Sequence, residues 1–223
     1  MKEEKIRALN EDIEDILDKI EISFQIKFNK NELQNVKTFG ELTSIIISKM
    51  EVEETNDCTS QQAFYKLRTA FLEDKEIKTP VNLNTQLIEV FPRKNRKNSI
   101  KALENRLNMP LNIFRPKYWI ESILIFFLFG SIVLMFFNGY AGFIGFLISL
   151  LCTKIVYKLG IEFKINTVGE LADKMSKENY IQSRRNHFTA NKKEVIEKIE
   201  AIFIESLGLD WKSVPADTKF DIE

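Results

Sequence analysis

The chain is short of the residues that build staples and redox or metal centres. Over 223 residues it has two cysteines, one histidine, eight glycines and five prolines. Two thiols cannot form a disulfide framework. His187 stands alone, so no metal site drawing on several histidines is expected. Charge of one sign is missing too: 32 basic side chains offset 32 acidic ones. That balance argues against a dedicated nucleic-acid binder, and no nucleic-acid partner is expected. There is no Gly-rich phosphate loop, Walker pattern or metal-ligand spacing. The one nucleophile–base pair, Cys58 and His187, has no third group to orient it and no strained turn around the thiol. No catalytic residue is therefore assigned, and the chain reads as non-enzymatic. The charged N-terminus, MKEEKIRALNEDIED, is no signal peptide.

The neutral total conceals a segregated chain. Residues 1–57 carry 8 basic and 14 acidic groups, and residues 58–117 carry 12 and 5. Between Tyr118 and Leu159 the only charges are Glu121, Lys154 and Lys158. Tyr118–Phe137 is a continuous apolar run. Asn138-Gly139 follows as a turn, and Tyr140–Tyr157 is a second run. Twenty helical residues reach about 30 Å, the hydrocarbon thickness of a bilayer. Two such helices satisfy their own backbone polar groups, as lipid requires. Residues 118–157 are thus expected to be a transmembrane helical hairpin in the lipid bilayer. The flanks are basic and the tip is uncharged, so the positive-inside rule puts both termini in the cytoplasm. Tyr118, Trp119, Tyr140 and Tyr157 fall where interfacial aromatics belong. The abundance of Lys, Asn and Ile suggests an AT-rich bacterial genome, and the expected location is the inner membrane. Ala141, Gly145, Ser149 and Thr153 recur every four residues, a small-residue face for packing on the first span or on another copy. Glu121 is expected to pair with Lys117 one turn earlier. Arg93, Lys94, Arg96 and Lys97 are read as membrane-surface residues that attract anionic lipid headgroups, at about 1 kcal/mol per basic group.

The polar parts repeat. Thr38-Phe39-Gly40-Glu41-Leu42 returns as Thr167-Val168-Gly169-Glu170-Leu171, each a capping box ahead of an apolar-periodic run. Ala63, Phe64, Leu67, Ala70 and Phe71 share their spacing with Val195, Ile196, Ile199, Ile202 and Phe203. Each set gives way to an extended Pro/Thr stretch, Thr79–Leu87 and Val214–Phe220. Ile13, Ile16, Leu17, Ile20 and Phe24 form a further helical stripe. Ile100, Leu103 and Leu107 form a shorter one. No clear strand is expected, and the shared order of elements suggests duplication of one helical unit.

That order resembles the acyl carrier proteins, small four-helix bundles. Their first helix leads into a long loop, their second starts with a serine that receives phosphopantetheine, and a Thr-Val-x-x-Leu-type helix closes the bundle. Val195–Leu207 with Pro215–Phe220 resembles helix one and its loop. Ile13–Phe24, Asn29–Val36 and Thr38–Met50 resemble helices two to four. This unit is permuted, so residues 190–223 supply its beginning and residues 1–57 complete it. The second unit takes residues 58–117 and, after the hairpin, 158–189. The resemblance implies an all-α fold: a transmembrane hairpin plus cytosolic four-helix bundles. The carrier family's Asp-Ser-Leu is absent from Leu9–Ile13. In the interrupted unit it becomes Asn98-Ser99-Ile100 with basic flanks, where Ser99 reads either as a helix N-cap or as a phosphopantetheine site. The expected function is a membrane-anchored interaction module that recruits an unknown cytosolic protein through acidic Glu11–Glu21 and basic Arg93–Lys101. No cofactor is expected. The alternative is a membrane-tethered acyl carrier bearing phosphopantetheine on Ser99.

Overall fold

A computed structural model describes residues 5–29, 31–73, 80–210 and 212–222. Thr79, which opens the first Pro/Thr stretch, lies outside them. The chain is mostly helical. Its elements run β1 (Lys5–Ala8), α1 (Asn10–Phe24), α2 (Phe39–Lys49), β2 (Glu53–Glu54), α3 (Thr59–Leu72), α4 (Leu87–Val90), α5 (Arg96–Leu107), β3 (Phe114–Arg115), α6 (Tyr118–Phe137), α7 (Gly139–Leu159), β4 (Glu162–Phe163), α8 (Val168–Glu178), α9 (Tyr180–Ser183), β5 (Thr189–Ala190), α10 (Lys192–Leu207) and β6 (Lys219–Ile222). They fall into two compact units, residues 1–83 with 169–223 and residues 84–168. Residues 58–83 and 169–189 belong to the first unit, and 84–117 to the second.

In the first unit the helical stripes meet. Ile16, Ile20 and Phe24 of α1 share one core with Phe39, Leu42 and Ile46 of α2 and with Val195, Ile199 and Phe203 of α10. Each such side chain contributes roughly 1.5–3 kcal/mol when fully buried. Phe39 meets Phe203 edge-on, with ring centroids 5.6 Å apart. The first capping box forms as expected. Thr38 Oγ1 accepts the Glu41 N–H at 3.3 Å, and Glu41 returns a carboxylate to the N–H groups of Thr38 and Lys37 at 3.1 and 2.7 Å. These backbone bonds, Lys37 first, hold the Glu41 carboxyl below the ordinary glutamate range.

The expectation of no strand needs correction. β1 lies parallel to β6, with Ile6 opposite Phe220, and β2 lies parallel to β5. Lys5-Ile6-Arg7-Ala8 and Lys219-Phe220-Asp221-Ile222 each alternate polar with apolar, as a half-buried strand does. These partners lie near opposite ends of the sequence, so no local pattern announces their pairing.

The second unit contains the long apolar pair. α6 and α7 are each long and apolar enough to cross a membrane. They are joined through Asn138, whose Oδ1 caps α7 by accepting the Ala141 N–H at 3.2 Å. The turn is therefore shorter than the expected dipeptide, because Gly139 already belongs to α7. A Cβ on Gly142 would lie 2.4 Å from the Met135 nitrogen, and one on Gly145 would lie 3.3 Å from Ser131 Cβ. Tyr157 hydrogen-bonds Glu121. Contacts that climb one helix as they descend the other define an antiparallel pair. The contact face carries Gly142, Gly145, Ser149 and Thr153, with Gly142 in place of the expected Ala141, which is exposed. The spacing of three, four and four stays nearer the partner helix than a strict four-residue stripe, which drifts around it. Glu121 pairs with Tyr157, and no ion pair to Lys117 exists among the described residues.

The repeated sequence is repeated bond for bond. Gly40 N–H donates to the Ala216 carbonyl at 2.8 Å and Phe39 N–H to that of Thr218 at 3.0 Å. Gly169 N–H donates to Leu83 at 2.8 Å and Val168 N–H to Thr85 at 3.0 Å. Thr38 bridges Lys219, and Thr167 bridges Gln86, both antiparallel. The ends of α1 and α5 also match. Gln25 and Asn108 are left-handed, at φ 53° and 54°. Ile26 N–H donates to the Glu21 carbonyl and Met109 N–H to that of Glu104, both at 3.2 Å. The Glu21 carboxylate then accepts the Phe28 N–H at 2.6 Å, and the Glu104 carboxylate accepts the Leu111 N–H at 2.8 Å.

Candidate functional site

The basic stretch ahead of α6 divides by role. Arg96 opens α5 and is 5 % exposed. Its Nε donates to the Phe91 carbonyl at 3.1 Å, and its Nη1 donates to the Ile161 carbonyl at 2.9 Å and to Glu162 at 3.4 Å. The guanidinium also sits 4.5 Å from the Phe163 ring centroid. It ties α5 to β4, which corrects its reading as a headgroup ligand: a buried cation held by two carbonyls and a carboxylate is not offered to lipid. Arg93 is exposed and lies 3.5 Å from Glu162. Lys94 is exposed with no ion pair among the described residues. Lys97 Nζ donates to the Lys158 carbonyl at 3.3 Å and satisfies the last turn of α7.

Ser99 stands inside α5, one turn past the N-cap Asn95. The N-cap reading of Ser99 therefore gives way to Asn95. The Ser99 hydroxyl donates back to the Asn95 carbonyl at 3.2 Å, a usual habit of serine within a helix. Counted back from the matched ends of α1 and α5, Ser99 corresponds in sequence to Ile16, in the middle of α1, and Arg93 to Asn10 at its head.

Lys97 and Lys101, four residues apart on α5, share a face. Lys164 arrives beside them because β3 and β4 pair antiparallel, Phe114 opposite Phe163 with rings stacked at 5.7 Å. The Lys164 N–H then bonds the Ile113 carbonyl at 2.8 Å. Together with Tyr157, on the last turn of α7, these lysines line a cleft of about 310 Å³. Its one carboxylate, Glu104, is engaged by the Leu111 amide. Lys101 and Lys164 have no ion pair among the described residues. The basic run alone did not reveal this cleft, since Lys101, Tyr157 and Lys164 come from three separate stretches.

The first unit holds a buried polar network that no local sequence pattern announces. Arg184 is fully buried. Its Nη1 donates to Thr59 Oγ1 at 2.6 Å, and its Nη2 to Thr55 Oγ1 at 2.8 Å and Thr189 Oγ1 at 3.3 Å. Glu194 accepts the Thr59 N–H at 2.9 Å and so caps α3 from α10. The Tyr180 hydroxyl lies 3.3 Å from the same carboxylate, and burial pushes its pKa up. Cys58 Sγ is 3.8 Å from Glu194 Oε1, and His187 is exposed. On α1, Glu11, Asp12, Glu14, Asp15 and Asp18 are exposed, while Glu21 serves the backbone. Among the described residues no group of three metal-ligating side chains is found.

No family model, curated protein or solved structure matches this chain.

Proposed function

We propose that the chain is a membrane-anchored, non-enzymatic interaction module. In this reading α6 and α7 form a transmembrane hairpin in a bacterial inner membrane, with both termini in the cytoplasm. One observation carries it. α6 and α7 leave almost all of their large apolar side chains exposed, Phe126, Phe136 and Phe137 among them, while the amphipathic helices of the polar parts bury theirs. Lipid is the solvent in which such a surface is stable.

The polar parts are two acyl-carrier-like helical units, one permuted and one interrupted by the hairpin. The repeated bonds at Gly40 and Gly169, and at Glu21 and Glu104, support descent from one duplicated unit. A unit without a prosthetic group is favoured over a loaded carrier. Ser99 lies within α5, bonded to its own helix, and cations take the place of the carrier family's acidic residues. The exposed acidic face of α1 is the surface offered to a cytosolic partner.

Intact-mass measurement of the full chain, purified from cells with an active phosphopantetheinyl transferase, tests this reading. The unmodified mass is expected. An adduct of phosphopantetheine size that disappears in Ser99→Ala would make the chain a carrier.

A further inference from the structure

The cleft lined by Lys97, Lys101 and Lys164 has a chemistry of its own. Three lysines line a space whose one carboxylate is engaged by a backbone amide. Lys97 is fixed at the end of α7 through the Lys158 carbonyl, so the charges are held next to a helix terminus rather than spread over a mobile tail. Tyr157 closes the side toward α7 with a ring that has an apolar body and a polar tip, the kind found at headgroup depth. Asn112, at the rim, adds an amide and takes a left-handed backbone, which asparagine tolerates. The space is of the size of a small-molecule site and far too small for a folded partner.

We propose that this cleft binds the phosphate of an anionic phospholipid, with Lys97, Lys101 and Lys164 as its ligands and Tyr157 beside the glycerol. The proposal rests on the reading of α6 and α7 as membrane spans and deepens it by giving the anchor a lipid preference. One feature selects a lipid over free phosphate: the continuity of the cleft, through Tyr157, with the last turn of an apolar helix. An acyl chain leaving the phosphate there meets the exposed side chains of α7 directly. Of the four residues expected from the basic run, Lys97 lines the cleft, while Arg96 is buried and Arg93 and Lys94 do not line it.

The test uses the full-length chain in non-ionic detergent. Dioleoylphosphatidylglycerol or dioleoylphosphatidylcholine is titrated in, and retained lipid is counted by native mass spectrometry. The phosphatidylglycerol is expected to bind at least tenfold more tightly. Lys101→Gln and Lys164→Gln are each expected to weaken it on the order of fivefold, the effect of one basic group near a surface. Lys158→Gln removes a nearby charge outside the cleft and is expected to change it less than twofold. Equal retention of the two lipids overturns the proposal. So does a loss in Lys158→Gln equal to that in Lys101→Gln, which would mean diffuse attraction. Displacement of the lipid by an equal concentration of inorganic phosphate would make free phosphate the ligand and also overturn it. Failure of the membrane reading looks different: the chain would stay monodisperse without detergent, whatever its lipid preference.

Discussion

Gly40 and Gly169 sit where a helix start is pressed against a loop carbonyl. A Cβ at either would lie 2.9 Å from a backbone oxygen, that of Ala216 or of Leu83. Backbone cannot step aside as a side-chain tip does, so Gly40→Ala and Gly169→Ala are each expected to cost about 1–3 kcal/mol. A Cβ on Gly130 would meet nothing within 4 Å, and Gly130→Ala is expected to cost nothing. Thermal melts of the detergent-solubilised variants measure the difference. Asp173 offers a pH test. Burial raises its pKa, but the Lys198 ammonium at 2.6 Å outweighs that and holds the carboxyl below its usual value. A lowered folded-state pKa adds stability above the unfolded value, and this is lost as pH falls through the folded one. Lys198→Met is therefore expected to melt below wild type at pH 7, with the gap closing as the pH falls below 3.8. The side chain of Asp173 is 68 % exposed, so the gap is small. A gap that persists unchanged in acid would rule out the ion pair as its cause.

Among the elements, the pairing of α6 with α7 depends on Gly142. Gly142→Leu would drive a branched side chain into the Met135 backbone, 2.4 Å from where its Cβ would lie. The two helices are expected to separate there. A disulfide between cysteines placed at Ser131 and Gly145, formed readily on the native background, should form poorly with Gly142→Leu present. Much of the element order was legible in the sequence. The Thr38–Glu41 capping box is a local motif, and the stripes on α1 and α10 and the two long apolar runs carry periodic signals. The short strands were not legible, because each pairs with a segment far away or is only two residues long. The matched ends of α1 and α5 were hidden for another reason: glycine is the usual sign of a left-handed helix end, and Gln25 and Asn108 take its place. The cleft was half legible. Lys97 was singled out, but Lys164 reaches it only through the pairing of β3 with β4, and Arg96 turns inward to Glu162 instead.

For the whole molecule, the parallel pairing of β1 with β6 ties the two ends of the chain together in the first unit. Ile6 and Phe220, near opposite ends of the chain, are partners in that pair. The apolar pair belongs to the second unit, and its exposed face is the largest departure from what an aqueous protein tolerates. The central claim is that this face lies in a bilayer, with Asn138 on the outer side and the flanks within. Single cysteines at Asn138 and at Asn98, in a Cys58→Ser, Cys152→Ser background, test it most directly. Intact cells are treated with a membrane-impermeant maleimide. Asn138→Cys is expected to be labelled, and Asn98→Cys to be labelled only after the membrane is opened; labelling of both from the outside, or recovery of the chain in the soluble fraction, would contradict the claim.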